Sequence, residues 1–588
     1  MKTLACAALL CVVPTIVLTS SKQEVRREPD LCVAPPGAQP LLPAKLLTGM
    51  GTINFPVTTA SEQARLFFLQ GVAQIHSFWF QEAERSCLQA AELDPNMAMA
   101  HWCIALSAAG DYRPAFQLLR DPDDGGRAGT AERRDSGSLS GANTEAVART
   151  TSGAAIAPQI RAREAIEKAM ALRDTVTPRE RLYIESQAAR RAPGDKDAAY
   201  IAGLRKLVAA YPNDLDAASM LALALDNGFE PVTKEPRAHT MEAIALLEAV
   251  VAKDETHFGA HHYLIHAWEG SKTPGHAWRA CERYAALVVN IPHALHMPGH
   301  IYAQSDRIPD AIAAFTAAAE NELTWLSADS LYPNGHHGHN VHFLIHSLNL
   351  GGRYADSMKW AQHLLSFKET PREKSGSSQR IAWRQGYFGV IKTIVRFERW
   401  EQILDGRTIP VYDRPEQQAW RRWAIGLAFA ATGHLDRARA ALTDLEREIK
   451  AVTATREPIE VAAMELAASI AARGGDRKKG YDLFRRAADR EAAMKYSEPP
   501  PYPRPVVEGF ANVALAIGDF ATAERAYREA LAREPGSGRA YFGIAAALDG
   551  LGRSADAGEA RAQASKAWAA ADPDLPEMLR LRVTSSGQ

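Results

Sequence analysis

Two histidines four residues apart on a helix point the same way, and this chain carries three such pairs in succession. His262 and His266 stand in HHYLIHAWEG (261–270), His296 and His300 in HALHMPGHIYAQ (293–304), and His342 and His346 in HGHNVHFLIHSLNL (337–350). Thirteen of the 18 histidines fall between His257 and His346. Residues i and i+4 share a helical face about 5–6 Å apart. Imidazoles presented in this way by neighbouring helices suit a transition metal, whose nitrogen ligands lie at about 2.0–2.1 Å. The same residues also suit a buried ladder of neutral, hydrogen-bonded rings, or an anion held by protonated ones. As a metal site, an all-nitrogen set with one carboxylate fits Cu, Fe or Zn, with Cu or Fe serving an oxidoreductase and Zn a hydrolase.

Further groups of the right chemistry flank the pairs. His293 precedes the second pair and His339 the third, each by three residues, which adds one ligand candidate to each helix. Glu269 follows the first pair and Asn349 the third by three residues. A carboxylate at Glu269 can ligate, orient a histidine or move protons, which makes it a candidate catalytic group together with Tyr302. Asn340 and Asn349 are candidates to orient the ligands from behind. Tyr332 is a weaker candidate, and His336 and His337 either cap the site or are solvated.

What positions these residues is a helical repeat. In LFFLQGVAQIHSFWFQEAERSCLQAAELDP, Gly71, Ala83 and Pro95 stand 12 and 12 residues apart, as do places 8, 20 and 32 of the 34-residue tetratricopeptide unit. Small residues let the two helices of a unit approach, and proline ends the second. Gly518, Phe520, Ala523, Tyr527, Ala530 and Pro535 hold places 15, 17, 20, 24, 27 and 32 of a later unit. His262 and His296 are 34 residues apart, and Ala277, Ala311 and Ser357 each come 11 residues after the second histidine of a pair. The pairs therefore fall at places 5 and 9 of the first helix in three successive repeats, with His293 and His339 at place 2. The third repeat carries 12 extra residues, in LSADSLYPNGHHG. In tetratricopeptide repeats places 2, 5, 9 and 12 of that helix line the concave groove. Places 5 and 9 of the last repeats are Glu508/Asn512 and Phe542/Ala546, so the fold itself does not ask for histidine there. The expected fold is all-α, a tetratricopeptide-repeat α-solenoid.

Five of these words resemble a family of large, exported bacterial tetratricopeptide-repeat proteins: HYLIHAWE (262–269), HMPGHIYAQSDRI (296–308), HNVHFL (339–344), YSEPPPYPRP (496–505) and AERAYREAL (523–531). The resemblance spans most of the chain. It implies the same fold and a site containing His262, His266, Glu269, His296, His300, Tyr302, Asn340 and His342, but it implies no reaction. This chain departs from the family wording at Gly299, in place of serine, and in NGHHG after Tyr332-Pro333.

The 588 residues are too many for one core, as a repeat array requires. Charge is balanced, with 68 basic and 69 acidic residues, so nothing points to nucleic acid. Residues 1–21 read as a secretory signal peptide, with one lysine, a short apolar run and then small polar residues. The mature chain is expected to be exported, periplasmic or secreted, with no membrane anchor. A Pro-rich lead (22–60), N-terminal repeats (61–120), a flexible low-complexity insertion (121–158), histidine-bearing repeats (159–368) and C-terminal repeats (369–580) follow. Cys87 and Cys103 are either a disulfide or two small buried apolar residues. No Gly-rich phosphate loop, Ser-His-Asp order or H-E-x-x-H word is present. Three functions stay open: a metal-dependent enzyme, a metal-binding protein without turnover, and a scaffold holding a peptide or small molecule in its groove. Expressed with its own N-terminus, the protein should lose about its first 20 residues, as N-terminal sequencing of exported material would read. Intact Met1 on cytoplasmic protein would contradict this.

Overall fold

A computed structural model describes residues 43–109, 158–230, 233–328, 334–367, 382–452, 456–494 and 500–579. The signal segment, almost all of the 121–158 insertion and Tyr332 lie outside the described residues. Among those described, every extended element is a helix, and one isolated bridge pairs Phe229 with Pro236. None of these helices is long and apolar enough to cross a membrane. The fold is an α-solenoid of stacked helix–turn–helix repeats.

One backbone feature recurs along the chain. At many joints the two helices of a repeat are connected through a residue in the left-handed region, and the second helix begins two residues later. Gly352, Gly433, Gly475, Gly518 and Gly552 make this turn at five joints, ahead of helices starting at Tyr354, Leu435, Arg477, Phe520 and Ser554. Glycine is suited to positive φ because it has no Cβ. Phe78 (φ 53°), Asp306 (φ 63°) and Glu398 (φ 52°) make the same turn with side chains attached. That conformation costs a bulky residue roughly 1–2 kcal/mol, and at Phe78 the ring has a use described below. Five residues past five of these eight turns come Ala83, Ala311, Ala438, Ala523 and Ala557, all without solvent exposure, where the helices of a repeat cross.

Of the two readings of Cys87 and Cys103 the structure has the disulfide, which joins the helices Phe80–Leu93 and Ala98–Ala109.

The first and the last described repeats both reach the histidine-bearing ones. At the N-terminal end the Glu62–His76 helix packs on the Phe258–Trp268 helix. The lead adds a second tie, its Gly49 carbonyl accepting from the backbone N–H groups of Val289 and Asn290, each at 3.0 Å. At the C-terminal end the Trp568 indole donates to the Leu350 carbonyl at 2.8 Å, and the Ala355 N–H donates to Asp572 at 2.7 Å. Buried aromatic and aliphatic side chains fill the space between the two layers of helices from Phe55 to Leu548.

The packing is tight where the site is built. A Cβ placed on Gly299, in the helix Pro292–Gln304, would stand 2.5 Å from the ring of Phe315, which itself packs on His296. Gly299→Ala should therefore destabilise the protein by about 1–3 kcal/mol, as overpacking does. Urea unfolding followed by circular dichroism would measure it.

Candidate metal centres

The six paired histidines do not converge on one point. They divide by a rule that the repeat imposes. His262 and His266, on the helix Phe258–Trp268, meet His293 at the start of the next inner helix, Pro292–Gln304. His296 and His300 on that second helix meet His339 on the helix Asn334–Leu350. Places 5 and 9 of one repeat thus join place 2 of the next, twice. In each group the candidate ligand atoms lie within 4.8 Å of one another. Four of the rings are buried, and His293 and His339 are half-buried. Both groups therefore have one side turned toward solvent.

The outward nitrogens of several rings are held by acceptors. His262 Nδ1 donates to the backbone carbonyl of His76. Glu269, buried at 1% exposure, takes His266 Nδ1 at 3.4 Å on one carboxylate oxygen and His300 Nδ1 at 2.7 Å on the other. One carboxylate thus serves a histidine from each group. An imidazole that donates from Nδ1 while neutral keeps its lone pair on Nε2, the tautomer a metal requires. His300 Nε2 and His296 Nε2 are 2.7 Å apart. Two nitrogens sharing one ion at 2.0–2.1 Å stand about 3 Å apart, and two nitrogens sharing one proton stand slightly closer.

Each group has a phenyl cover. The ring of Phe78 lies 4.5 Å from His262, 5.2 Å from His266 and 5.8 Å from His293. Phe343 lies 4.9 Å from His296, 4.4 Å from His300 and 4.9 Å from His339. These rings exclude water, which strengthens any electrostatic contact inside. The left-handed turn at Phe78 places its ring against the first group.

The remaining candidates fall elsewhere. His342 and His346 lie in neither group; both are buried or nearly so, and His342 Nε2 accepts from Lys392 at 3.1 Å. Asn340 donates to the buried carboxylate of Glu322 at 2.6 Å, and His336 donates to the same group at 2.7 Å. His336 also stands 6.1 Å from His293, at the edge of the first group. His337 pairs with His363 at 2.9 Å. Asn349 accepts from Ser357 at 2.8 Å and pins two helices together. Tyr302 packs beneath the Arg307 guanidinium, away from both groups.

Several residues of the site escaped the sequence reading. His76, Phe78 and Glu322 sit outside the three histidine words, and only the fold brings them in. Phe343 stood inside a word already singled out, but nothing in its spacing marked it as a cover. A Cβ on Gly259 would meet His76 Nδ1 at 2.6 Å, so the place-2 glycine of the first histidine repeat leaves room for a ring from a distant helix. That ring donates through its Nε2 to the buried carboxylate of Asp216, 3.0 Å away.

Part of the inner face is occupied by the chain itself. Tyr502 inserts beside Trp420 and Trp423, and its hydroxyl donates to Glu465. Arg504 pairs with the same carboxylate at 2.7 Å, and the Pro500 carbonyl accepts from Lys392 at 3.3 Å. Residues 500–505 thus lie across the inner helices where a peptide ligand would.

No protein-family model and no curated protein matches this chain. Solved structures align with it at low similarity. A human IFIT1 dimer with m7Gppp-AAAA covers 88% of this chain and 92% of its own at 10% identity, with a TM-score of 0.30. Yeast Tom70 covers 89% and 93% at 11% identity, with a TM-score of 0.23. The Cut9-Hcn1 hetero-tetramer covers 90% and 91% at 12% identity, with a TM-score of 0.27. Scores this low carry no argument about ligands, and the solenoid reading rests on the chain's own turns and helix stacking.

Burial holds several imidazoles neutral. It pushes His296 well below the ordinary value, helped by His300 and His339; it pushes His342 and His346 down as well, helped by Lys392. It lowers His337 to about 3 and outweighs Asp216 at His76. In the unfolded chain these rings take up protons near pH 6.5, so the unfolded state binds more protons below that value. The metal-free chain should therefore lose stability as pH falls below about 6.5, each ring adding up to about 1.4 kcal/mol per pH unit. Denaturant midpoints between pH 8 and pH 4, taken after chelator treatment, would show a decline steeper than one group can produce.

Proposed function

We propose that this chain is an exported helical-repeat protein that holds two transition-metal ions, Cu, Fe or Zn, and uses them as a metal-dependent enzyme. The observation that carries the reading is the repetition of one ligand geometry. His262, His266 and His293 form one three-imidazole group, and His296, His300 and His339 form the same group one repeat further on. Three imidazoles with a half-buried side leave room for a fourth ligand, as in catalytic sites and unlike closed structural ones. An all-nitrogen set suits Cu or Fe oxidative chemistry first and Zn hydrolysis second. Held by these residues, such an ion would supply Lewis acidity or a redox change. The chain's residues fix the tautomers through Glu269 and the His76 carbonyl, and exclude water through Phe78 and Phe343.

A small molecule reaching His293 and His339 from the solvent side is the fitting substrate class. A peptide lying along the groove is a poorer fit, because residues 500–505 fill the C-terminal inner face. Export is supported by the N-terminal segment and by the Cys87–Cys103 disulfide, a bond favoured in oxidising compartments.

One observation favours a second reading, a hydrogen-bond ladder without metal: the 2.7 Å contact of His296 with His300 is also what a shared proton would give. Metal analysis separates the two. After metal-replete growth and dialysis the wild type should retain two ions per chain, and His296→Ala/His300→Ala should retain one. Helicity should be unchanged in the variant, since alanine is a good helix former. Glu269→Gln should weaken both centres by about 10–100-fold, the usual effect of losing such a partner. A wild type without metal, whose double variant melts at a lower temperature, would establish the ladder instead.

A further inference from the structure

The ligand pattern has a third step in which no metal group forms. His342 and His346 hold places 5 and 9 of their helix, as the two other pairs do. The next inner helix is Ala382–Arg396, and the left-handed turn at Glu398 sets its register. Counting back from that turn puts Gln385 at place 2, where the two metal groups have His293 and His339. It puts Lys392 at place 9.

Lys392 is fully buried and reaches into the space between the two inner helices. Its Nζ donates to His342 Nε2 at 3.1 Å and to the Pro500 carbonyl at 3.3 Å. Gln385 hydrogen-bonds the same imidazole. The nitrogen that would face an ion therefore faces an amine. Two partners, one on a histidine and one on the 500–505 segment, hold that amine in place. The Phe388 ring lies 5.3 Å from the amine and closes another side.

We propose that Lys392 stands where a third metal ion would sit, so that the ladder holds two ions and ends on an amine. The inference rests on the two-centre reading for its ligand geometry. A protonated amine repels a divalent ion, and a neutral one still covers the His342 lone pair with an N–H. Burial lowers the pKa of this amine against the pull of the nearby Glu534 carboxylate. Both forms close the position. The 500–505 segment is thereby tied to the histidine ladder by a bond that a chelator cannot remove.

The test counts ions, with Zn(II) alone as the probe and mass spectrometry as the readout. Lys392→Met combined with Gln385→His removes the amine and restores imidazole at place 2. That variant should bind one ion more than the wild type, and adding His342→Ala should cancel the gain. Gln385→His alone, with the lysine retained, should show no gain. A folded Lys392→Met/Gln385→His variant with the wild-type count would overturn the proposal. A wild type that loses one ion on Lys392→Met would overturn it too, by making the amine a ligand. Because the readout is a difference from wild type, a wild type holding no ion defeats the two-centre reading alone. Should the methionine variant fail to fold, Lys392→Gln/Gln385→His, which keeps a donor for Pro500, gives the same comparison.

Discussion

A buried imidazole has two nitrogens, and a protein that buries many must find a use for both while keeping the ring neutral. The chain meets this constraint with few acceptors. Glu269 spans two repeats and takes one Nδ1 from each ligand group. The His76 carbonyl takes a third. With Nδ1 donating in this way, each of these three rings keeps its lone pair on Nε2. A single buried carboxylate thus orients one imidazole in each group, and its position at the end of the Phe258–Trp268 helix is what puts it between them. Glu322 has a similar part at the next helix, where it holds His336 and Asn340.

The second determinant is translation along the solenoid. A repeat that places His at 5 and 9, followed by one that places His at 2, produces a three-nitrogen group wherever the sequence repeats the rule. It repeats it twice. At the third step glutamine and lysine take the positions, and the same scaffold gives a closed, hydrogen-bonded end. The outcome at each step is therefore local chemistry on a common frame, and three side chains decide it.

The frame also limits what can enter. The first and last repeats fold back on the middle ones, and residues 500–505 occupy the inner face beside Trp420 and Trp423. The Glu465, Arg504, Glu508 and Arg396 charges in that region are paired with one another and hold the segment down. Such pairing offsets the cost of burying charge without adding much net stability. What stays accessible is the half-buried edge at His293 and His339, which fits a small ligand better than an extended one.

The sequence by itself determined the all-α repeat, the register and the six paired histidines, because these are periodic properties of a chain whose neighbours in space are its neighbours in sequence. Ala277, Ala311 and the 34-residue spacing place His262, His266, His296 and His300 on the inner face from sequence alone. The part of Glu269 was half legible: a carboxylate at place 12 was expected near the first pair, but its reach to His300 was not. The tertiary structure decided the rest. It split the histidines into two groups, since side chains on adjacent inner helices meet diagonally, place 2 against places 5 and 9. It brought in His76 and Phe78 from the first repeat, some 180 residues earlier, because the superhelix returns there. It also gave His342 to Lys392. Contacts of that kind depend on how far the solenoid curves, a sum of small rotations that no single repeat records.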